Sequence, residues 1–256
     1  MIIDTHAHLT DERLINEVPT IVSDMAKDNL KSIITVGYDR QSSEQGYKLS
    51  CTHKGIYCAV GIHPHDAKNV TQADYDYFAS VASAKEVVAY GEIGLDYYYD
   101  LSERDVQKAV FCEQLELAHS LKKPVAIHLR DAYEDMSRLL KENKHYIQHG
   151  MVIHCYAGSE EMLKEYNKYD SYYSFGGAIT FKNAKKDDIV RAIPKNRLLL
   201  ETDCPYMTPV PYRGKTNYPK YVNIVAERVK EMMPEIDIEG LTTANAEELF
   251  GINDNI

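Results

Sequence analysis

The sequence predicts an α/β fold, a (β/α)₈ barrel of the TIM type, from the alternation and the number of its elements. Short apolar runs alternate with helical stretches along the chain, which favours parallel strands joined by crossover helices. Eight candidate strands begin near Ile2, Ser32, Ile56, Glu86, Pro124, Met151, Ser171 and Arg197. Eight βα units in 256 residues fit a closed barrel better than an open sheet.

Amphipathic stretches lie between the strands and after the last one. Residues 105–121 place their apolar side chains on one face, and residues 220–233 do the same after the eighth strand. Thr243 or Asn245 is expected to cap a last short helix that ends at 250–251. The chain has no Pro/Gly/Ser-rich linker or low-complexity tract, so we expect a single domain over residues 1–256.

Composition places the chain among ordinary globular proteins, with 44% apolar and 27% charged residues. No apolar run approaches the roughly 18 residues of a membrane span, and the N-terminus lacks the pattern of a signal peptide. We therefore expect a cytoplasmic protein that has no membrane partner and needs no obligatory protein partner. Five scattered cysteines without a C-x-x-C pair argue against a disulfide framework or a cysteine-based zinc site.

The net charge of −10 argues against tight, general binding of nucleic acid, since a basic balance is the usual electrostatic mark of that function. A nucleic-acid substrate would have to be held locally, by a few cations and by bound metal.

Six potential metal ligands share one feature, a position at the end of an apolar run of β character. They are His6, His8, Glu92, His128, His154 and Asp203. Each alone has an ordinary explanation, such as a hydrogen-bonded histidine, a solvated acid or a turn aspartate. The C-terminal ends of barrel strands converge, however, and carry the chemistry in such folds. Their common placement therefore predicts a metal site.

The donor types indicate which metals and roles to expect. Oxygen and nitrogen ligands without thiolate suit Zn²⁺, Mn²⁺, Fe²⁺, Co²⁺ or Mg²⁺. The carboxylate of Glu92 has two oxygens and is able to bridge two cations, roughly 3.5–4 Å apart as in known two-metal sites. Asp203 is expected to be a ligand or the general base that accepts a proton from the attacking water. We therefore expect divalent cations, two per subunit, of unassigned identity among Zn, Mn and Mg.

Further groups near the strand ends are candidates for substrate binding. His63 and His65 follow the third strand and would orient a phosphate or support the metals, and Arg130 lies close after His128. Arg213 and Lys215 belong to the loop after strand eight, a common phosphate site in barrels. Residues 97–99 are three tyrosines, which would either stack on nucleobases or pack under loops.

Seven segments together resemble the TatD-type metal-dependent deoxyribonucleases of the amidohydrolase superfamily, and the resemblance covers essentially the whole chain. The segments are 4–8 (DTHAH), 60–65 (VGIHPH), 91–97 (GEIGLDY), 124–128 (PVAIH), 154–155 (HC), 201–206 (ETDCPY) and 211–217 (PYRGKTN). The resemblance implies a distorted TIM barrel that binds metal through the six ligands above, with His63 near the substrate. Glu92, Asp203 and His63 are accordingly the expected catalytic residues.

The resemblance also implies hydrolysis of phosphodiester bonds in DNA, often as a 3′-to-5′ exonuclease on single strands. The expected partner is thus single-stranded DNA or a 3′ end. Two positions depart from the usual pattern: Ala157 replaces a serine, and Met207 replaces a leucine. Neither change removes a metal ligand.

Two other functions remain open on the sequence. The same site could hydrolyse an ester or amide of a small molecule, which the acidic net charge favours, whereas Arg130, Arg213 and Lys215 favour a phosphate substrate. A binding module without catalysis is the third possibility, and six retained ligands argue against it.

Overall fold

The computed structural model describes residues 1–252 and forms one parallel barrel of eight strands that pair in chain order. The strands are β1 Ile2–Ala7, β2 Leu30–Val36, β3 Ile56–Val60, β4 Val87–Asp96, β5 Val125–Arg130, β6 Met151–Ile153, β7 Tyr172–Phe175 and β8 Leu198–Leu200. Each begins within two residues of the position predicted from sequence. The prediction of a (β/α)₈ barrel is confirmed.

The barrel closes between β1 and the segment that follows β8. Ala7 forms a parallel bridge with Cys204. The backbone N–H of His8 donates to the carbonyl of Cys204 at 2.7 Å, and the N–H of Asp203 donates to the carbonyl of His6 at 2.9 Å. This seam lies at the C-terminal end of the strands, so closure itself brings three of the predicted ligands together.

Helices cover the outside of the barrel over the described part of the chain. They are α1 Val18–Asp24, α2 Arg40–Thr52, α3 Gln72–Val81, α4 Arg104–Ser120, α5 Tyr133–Glu142, α6 Glu160–Tyr166, α7 Asp187–Ala192, α8 Val222–Met232 and α9 Ile238–Phe250. The predicted helices 105–121 and 220–233 correspond to α4 and α8. None of the helices in residues 1–252 has the length and apolar character needed to cross a bilayer.

The last helix starts earlier than predicted. The side chain of Asp237 caps α9 by accepting from the N–H of Gly240 at 3.2 Å. Thr243 lies inside the helix, and Asn245 instead donates to the carbonyls of Lys195 and Leu198, both at 2.8 Å. Asn245 therefore fastens α9 to the start of β8, so the predicted cap at 243–245 is wrong.

The interior of the barrel is apolar at one end and polar at the other. Ala126 and His128 point to the same side of β5, because side chains alternate along a strand. Ala126 belongs to a buried cluster that includes Ile34 and Val36 and that Leu249 and Phe250 of α9 cover. This buried apolar cluster fills the N-terminal half of the barrel, and the charged groups lie at the C-terminal end.

Candidate metal centre

All six predicted ligands meet at the C-terminal mouth of the barrel, around Glu92. One carboxylate oxygen, Oε1, lies 2.8 Å from His154 Nε2 and 2.9 Å from His128 Nδ1. The other, Oε2, lies 3.4 Å from His6 Nε2 and 3.7 Å from His8 Nε2. Glu92 thus stands between two pairs of imidazoles and presents one oxygen to each pair.

Asp203 and His63 complete the two sides of this centre. Asp203 Oδ1 lies 3.3 Å from His8 Nε2, and His63 Nε2 lies 3.6 Å from Glu92 Oε1. Three sets have ligand atoms within 4.8 Å of one another: His6 with His8 and Asp203, His6 with Glu92 and His154, and His63 with Glu92 and His128. These distances are those of side chains that can share an ion.

The residues present fit divalent metal in their burial and their donor chemistry. His6 Nε2 is buried and has no hydrogen-bond partner among the described residues, an arrangement that is costly unless the lone pair binds something. Within residues 1–252 the three sets contain histidine, aspartate and glutamate and no cysteine. Nitrogen and oxygen donors of this kind suit Zn²⁺, Mn²⁺ or Mg²⁺, as the sequence predicts.

The electrostatics keep both acids ionised. Burial alone would raise the pKa of Glu92, but the imidazoles of His154, His63 and His6 outweigh burial and hold this pKa well below its ordinary value. Burial also opposes ionisation of Asp203, and the hydrogen bond with His8 lowers its pKa all the same. Two carboxylates that stay charged in a buried site are suited to bind cations.

Glycines in β4 allow this strand to approach β5 closely beside the ligands. A Cβ atom at Gly94 would lie 1.9 Å from the carbonyl oxygen of His128, and one at Gly91 would lie 2.7 Å from that of Ala126. Any side chain there would push β4 away from β5 and separate Glu92 from His128. The two glycines therefore allow β4 and β5 to approach closely beside Glu92 and His128.

Contacts on the far side of three of the imidazoles fix which nitrogen faces the centre, as hydrogen bonds for His8 and His128 and as an ion-pair contact for His154. His8 Nδ1 lies 3.0 Å from the carbonyl of Val36, so that its Nε2 faces inward. His128 Nε2 lies 3.0 Å from Asp96 Oδ2, which leaves the Nδ1 lone pair for the centre. His154 Nδ1 lies 3.6 Å from Glu201 Oε1. Such outer contacts orient histidine ligands and set their tautomers.

Sequence reasoning missed the roles of Asp96 and Glu201, although both stand inside the quoted motifs. Asp96 ends β4 and also lies 3.0 Å from His65 Nε2, while its Oδ1 accepts the N–H groups of Tyr98 and Tyr99. Glu201 is fully buried and accepts the backbone N–H of Cys155 at 2.7 Å. The available signal was an acid at the end of a strand or directly after it, but sequence spacing does not distinguish a metal ligand from a residue that orients a ligand.

Replacing Asp96 with asparagine should weaken metal binding about 10- to 100-fold. Asparagine can still accept from Tyr98 and Tyr99, but its amide would donate to His128 Nε2 and drive the proton to Nδ1, the atom that faces the centre. Calorimetric titration of the metal-free protein with Zn²⁺ or Mn²⁺ measures the change. Asp66 lines the same cleft, so Asp66→Asn serves as the matched control. Equal affinities for wild type and Asp96→Asn would contradict the orienting role.

The predicted substrate-binding residues separate into two groups. His65 and Arg130 line a cleft of about 480 Å³ above the ligands, and the guanidinium of Arg130 lies 3.9 Å from the ring centroid of Tyr98. Arg213 lines a neighbouring cavity of about 350 Å³. Lys215 is exposed, 5.8 Å from the ring centroid of Tyr212, and lines neither space among the described residues.

The three consecutive tyrosines have different surroundings. Tyr97 donates to Asp135 Oδ2 at 2.6 Å and packs beside the barrel. Tyr98 lies under Arg130, and Tyr99 lines the metal cleft. Of the three, Tyr99 is the one whose ring borders the space in which a substrate would lie.

Comparison with known proteins identifies the family. The model of the TatD-related DNases matches residues 3–251. The crystal structure of YJJV, a TatD homologue from Escherichia coli K12, superposes with a TM-score of 0.92 over 98% of both chains at 26% identity.

Two curated relatives extend the comparison. The metal-dependent hydrolase YabD of Bacillus subtilis (strain 168), described as uncharacterized, is 42% identical over 99% of this chain and 100% of its own length. A protein of Enterobacter lignolyticus (strain SCF1) named 3′-5′ ssDNA/RNA exonuclease TatD is 31% identical over 97% of this chain and 98% of its own. The chain described here therefore belongs to the TatD family and is a metal-dependent hydrolase.

Proposed function

We propose that this hydrolase is a deoxyribonuclease that removes nucleotides from the 3′ ends of single-stranded DNA. The observation that carries the proposal is the position of Glu92 between two sets of imidazoles, with Arg130 at the mouth of the same cleft. A phosphodiester needs both features: charge stabilisation at phosphorus and a cation for the neighbouring phosphate oxygens. The exonuclease name of the Enterobacter relative agrees with this substrate.

The site would hold two divalent cations, with Zn²⁺, Mn²⁺ and Mg²⁺ as the candidates. His6, His8, Asp203 and Glu92 Oε2 would hold one, and His128, His154 and Glu92 Oε1 the other. Divalent cations supply Lewis acidity, which makes water a stronger nucleophile at neutral pH and offsets charge on the attacked phosphate. Glu92, with one oxygen toward each set of imidazoles, would offset part of the charge of both cations.

Asp203 is the group placed to accept the proton. It is ionised, lies at the edge of the cleft and keeps one carboxylate oxygen free of His8. As water attacks phosphorus, the new P–O bond forms, the P–O3′ bond breaks and Asp203 takes a proton from the water. The departing 3′ oxygen is then protonated from solvent, and a 5′-mononucleotide leaves.

His63 would bind the phosphate as a neutral donor. Burial and the neighbouring His128 lower the pKa of His63 well below its ordinary value. Its Nδ1 accepts the backbone N–H of His65 at 3.2 Å, so the ring proton sits on Nε2, which faces Glu92 and the cleft. His65 and Arg130 would hold the remaining phosphate oxygens.

The proposal is tested by incubating the metal-loaded protein with three kinds of substrate. These are end-labelled single-stranded DNA, the same DNA as a duplex, and a panel of esters and amides. We expect ladders that shorten from the 3′ end of the single strand, and loss of activity on chelation with recovery when metal returns. The acidic net charge of −10 favours the alternative, a hydrolase of small esters or amides. If the protein hydrolyses those esters or amides and leaves the DNA uncleaved, the alternative is established and the nuclease proposal is overturned.

A further inference from the structure

A second cavity, of about 350 Å³, opens beside the metal cleft between the ends of β6 and β7 and the loop after β8. We call it the β7 cavity. Its walls are mainly apolar and include Tyr156, Ala157, Phe175, Ile179, Phe181 and Met207. Its volume is within the range of small-molecule sites, about 300–1,000 Å³.

The β7 cavity adjoins the metal cleft. Met207 lines both the β7 cavity and the metal cleft, and Cys155, which directly follows the ligand His154, lines the cavity. Met207 is 38% exposed, so its side chain lies at the protein surface between the two spaces. A molecule whose phosphorus lies at the centre could therefore place an attached group past Met207.

One aromatic ring in the β7 cavity is available for stacking. Tyr156 and Phe175 are 3% and 1% exposed and belong to the core, whereas Phe181 is only half-buried. The guanidinium of Arg213 lies 4.4 Å from the ring centroid of Phe181. Phe181 is therefore a partly accessible aromatic ring with the guanidinium of Arg213 over one of its faces.

The other cations of the β7 cavity have distinct positions. Lys186 donates to the carbonyls of Ala157 and Gly158 at 2.6 and 3.1 Å, so it holds the wall in place. Lys182 is exposed at the rim. An apolar wall with Arg213 and Lys182 at its edge matches a ligand with a flat apolar body joined to an anion.

We propose that the β7 cavity binds the nucleobase adjacent to the phosphodiester bond that is cleaved, with Phe181 as the stacking residue and Arg213 contacting the next phosphate. The inference rests on the proposed function, because it takes the phosphate at the metal centre as its starting point. Stacking of a base on an aromatic ring tolerates any base, so the cavity would favour nucleotides over other phosphodiesters without selecting a sequence. Ala157 makes the wall more apolar than the serine usual in the family.

The test measures binding without catalysis. A short fluorescein-labelled oligothymidylate with phosphorothioate linkages that resist cleavage, and its analogue with abasic residues at the 3′ end, are titrated with metal-loaded protein, and anisotropy gives the two dissociation constants. We expect wild type to bind the intact strand about tenfold more tightly than the abasic one. Phe181→Ala should remove that preference and leave affinity for the abasic strand unchanged.

Two variants keep the result interpretable if alanine disturbs the fold. Phe181→Leu retains apolar bulk without a ring face and should also lose the preference, whereas Phe181→Tyr should retain it. Tyr169→Ala, at the opposite end of β7, is the matched control and should bind like wild type.

Equal binding of intact and abasic strands by wild type, or a preference that survives Phe181→Leu, would overturn this inference. DNA left intact by the metal-loaded protein would instead overturn the proposed function, so the two failures are distinguishable.

Discussion

Replacing Glu92 with glutamine should lower kcat/KM for hydrolysis about a thousandfold, which is about 4 kcal/mol at 1.36 kcal/mol per tenfold change. Among residues 1–252, Glu92 is the side chain that faces both pairs of imidazoles, with Oε1 2.8 Å from His154 and Oε2 3.4 Å from His6. Glutamine keeps the shape of the side chain but replaces one carboxylate oxygen with an NH₂ group, which cannot bind a cation. Both halves of the centre are then weakened by one substitution.

Metal binding gives a readout of the same substitution that does not depend on the substrate. Metal that binds only the folded protein raises its stability by an amount set by concentration and affinity. We expect Zn²⁺ or Mn²⁺ to raise the Tm of wild type clearly and that of Glu92→Gln much less, with circular dichroism unchanged. Glu86→Gln, just before the opposite end of the same strand, is the control and should behave like wild type. Near-normal turnover and a full metal-induced Tm shift in Glu92→Gln would contradict a central role for Glu92.

The ligands could be predicted from the sequence because they recur at the C-terminal ends of successive strands, and a parallel barrel brings those ends together in space. Each ligand lies in or just after an apolar strand, and parallel strands in order bring those positions to one mouth. The details differ by a few residues: Glu92 and His128 lie inside β4 and β5, and Asp203 comes three residues after β8 ends. These offsets do not matter for the prediction, since all of them remain at the same end of the barrel.

Residues that act through another side chain could not be recognised in this way. The role of Asp96 depends on its Oδ2 atom lying 3.0 Å from Nε2 of His128. These two residues are 32 positions apart, and nothing in the sequence pattern indicates that they are in contact. The loop after β8 posed the same difficulty. Arg213 and Lys215 are two residues apart and both exposed, yet Arg213 lies over Phe181 and lines the β7 cavity, whereas Lys215 lies near Tyr212. Loop side chains take their direction from tertiary packing and not from strand alternation.

Asp203→Asn should separate proton transfer from metal binding. The variant keeps an oxygen for His8, and His6, His8 and Glu92 still offer ligands on that side, so the site should still bind metal when the metal concentration is raised to saturation. kcat should fall about 10²- to 10⁴-fold, because an amide cannot accept the proton that Asp203 takes from water. KM should change little, since the phosphate contacts of Arg130 and His65 remain.

The contrast with Glu92→Gln makes this experiment decisive for the assignment of Asp203. Loss of kcat with a retained metal-induced Tm shift identifies Asp203 as the base, whereas loss of both in parallel identifies it as a ligand only. Asp66→Asn, an acid that lines the same cleft, controls for the removal of negative charge near the phosphate. Retention of near-normal kcat by Asp203→Asn would exclude Asp203 as the proton acceptor, because the amide of asparagine cannot take a proton from water.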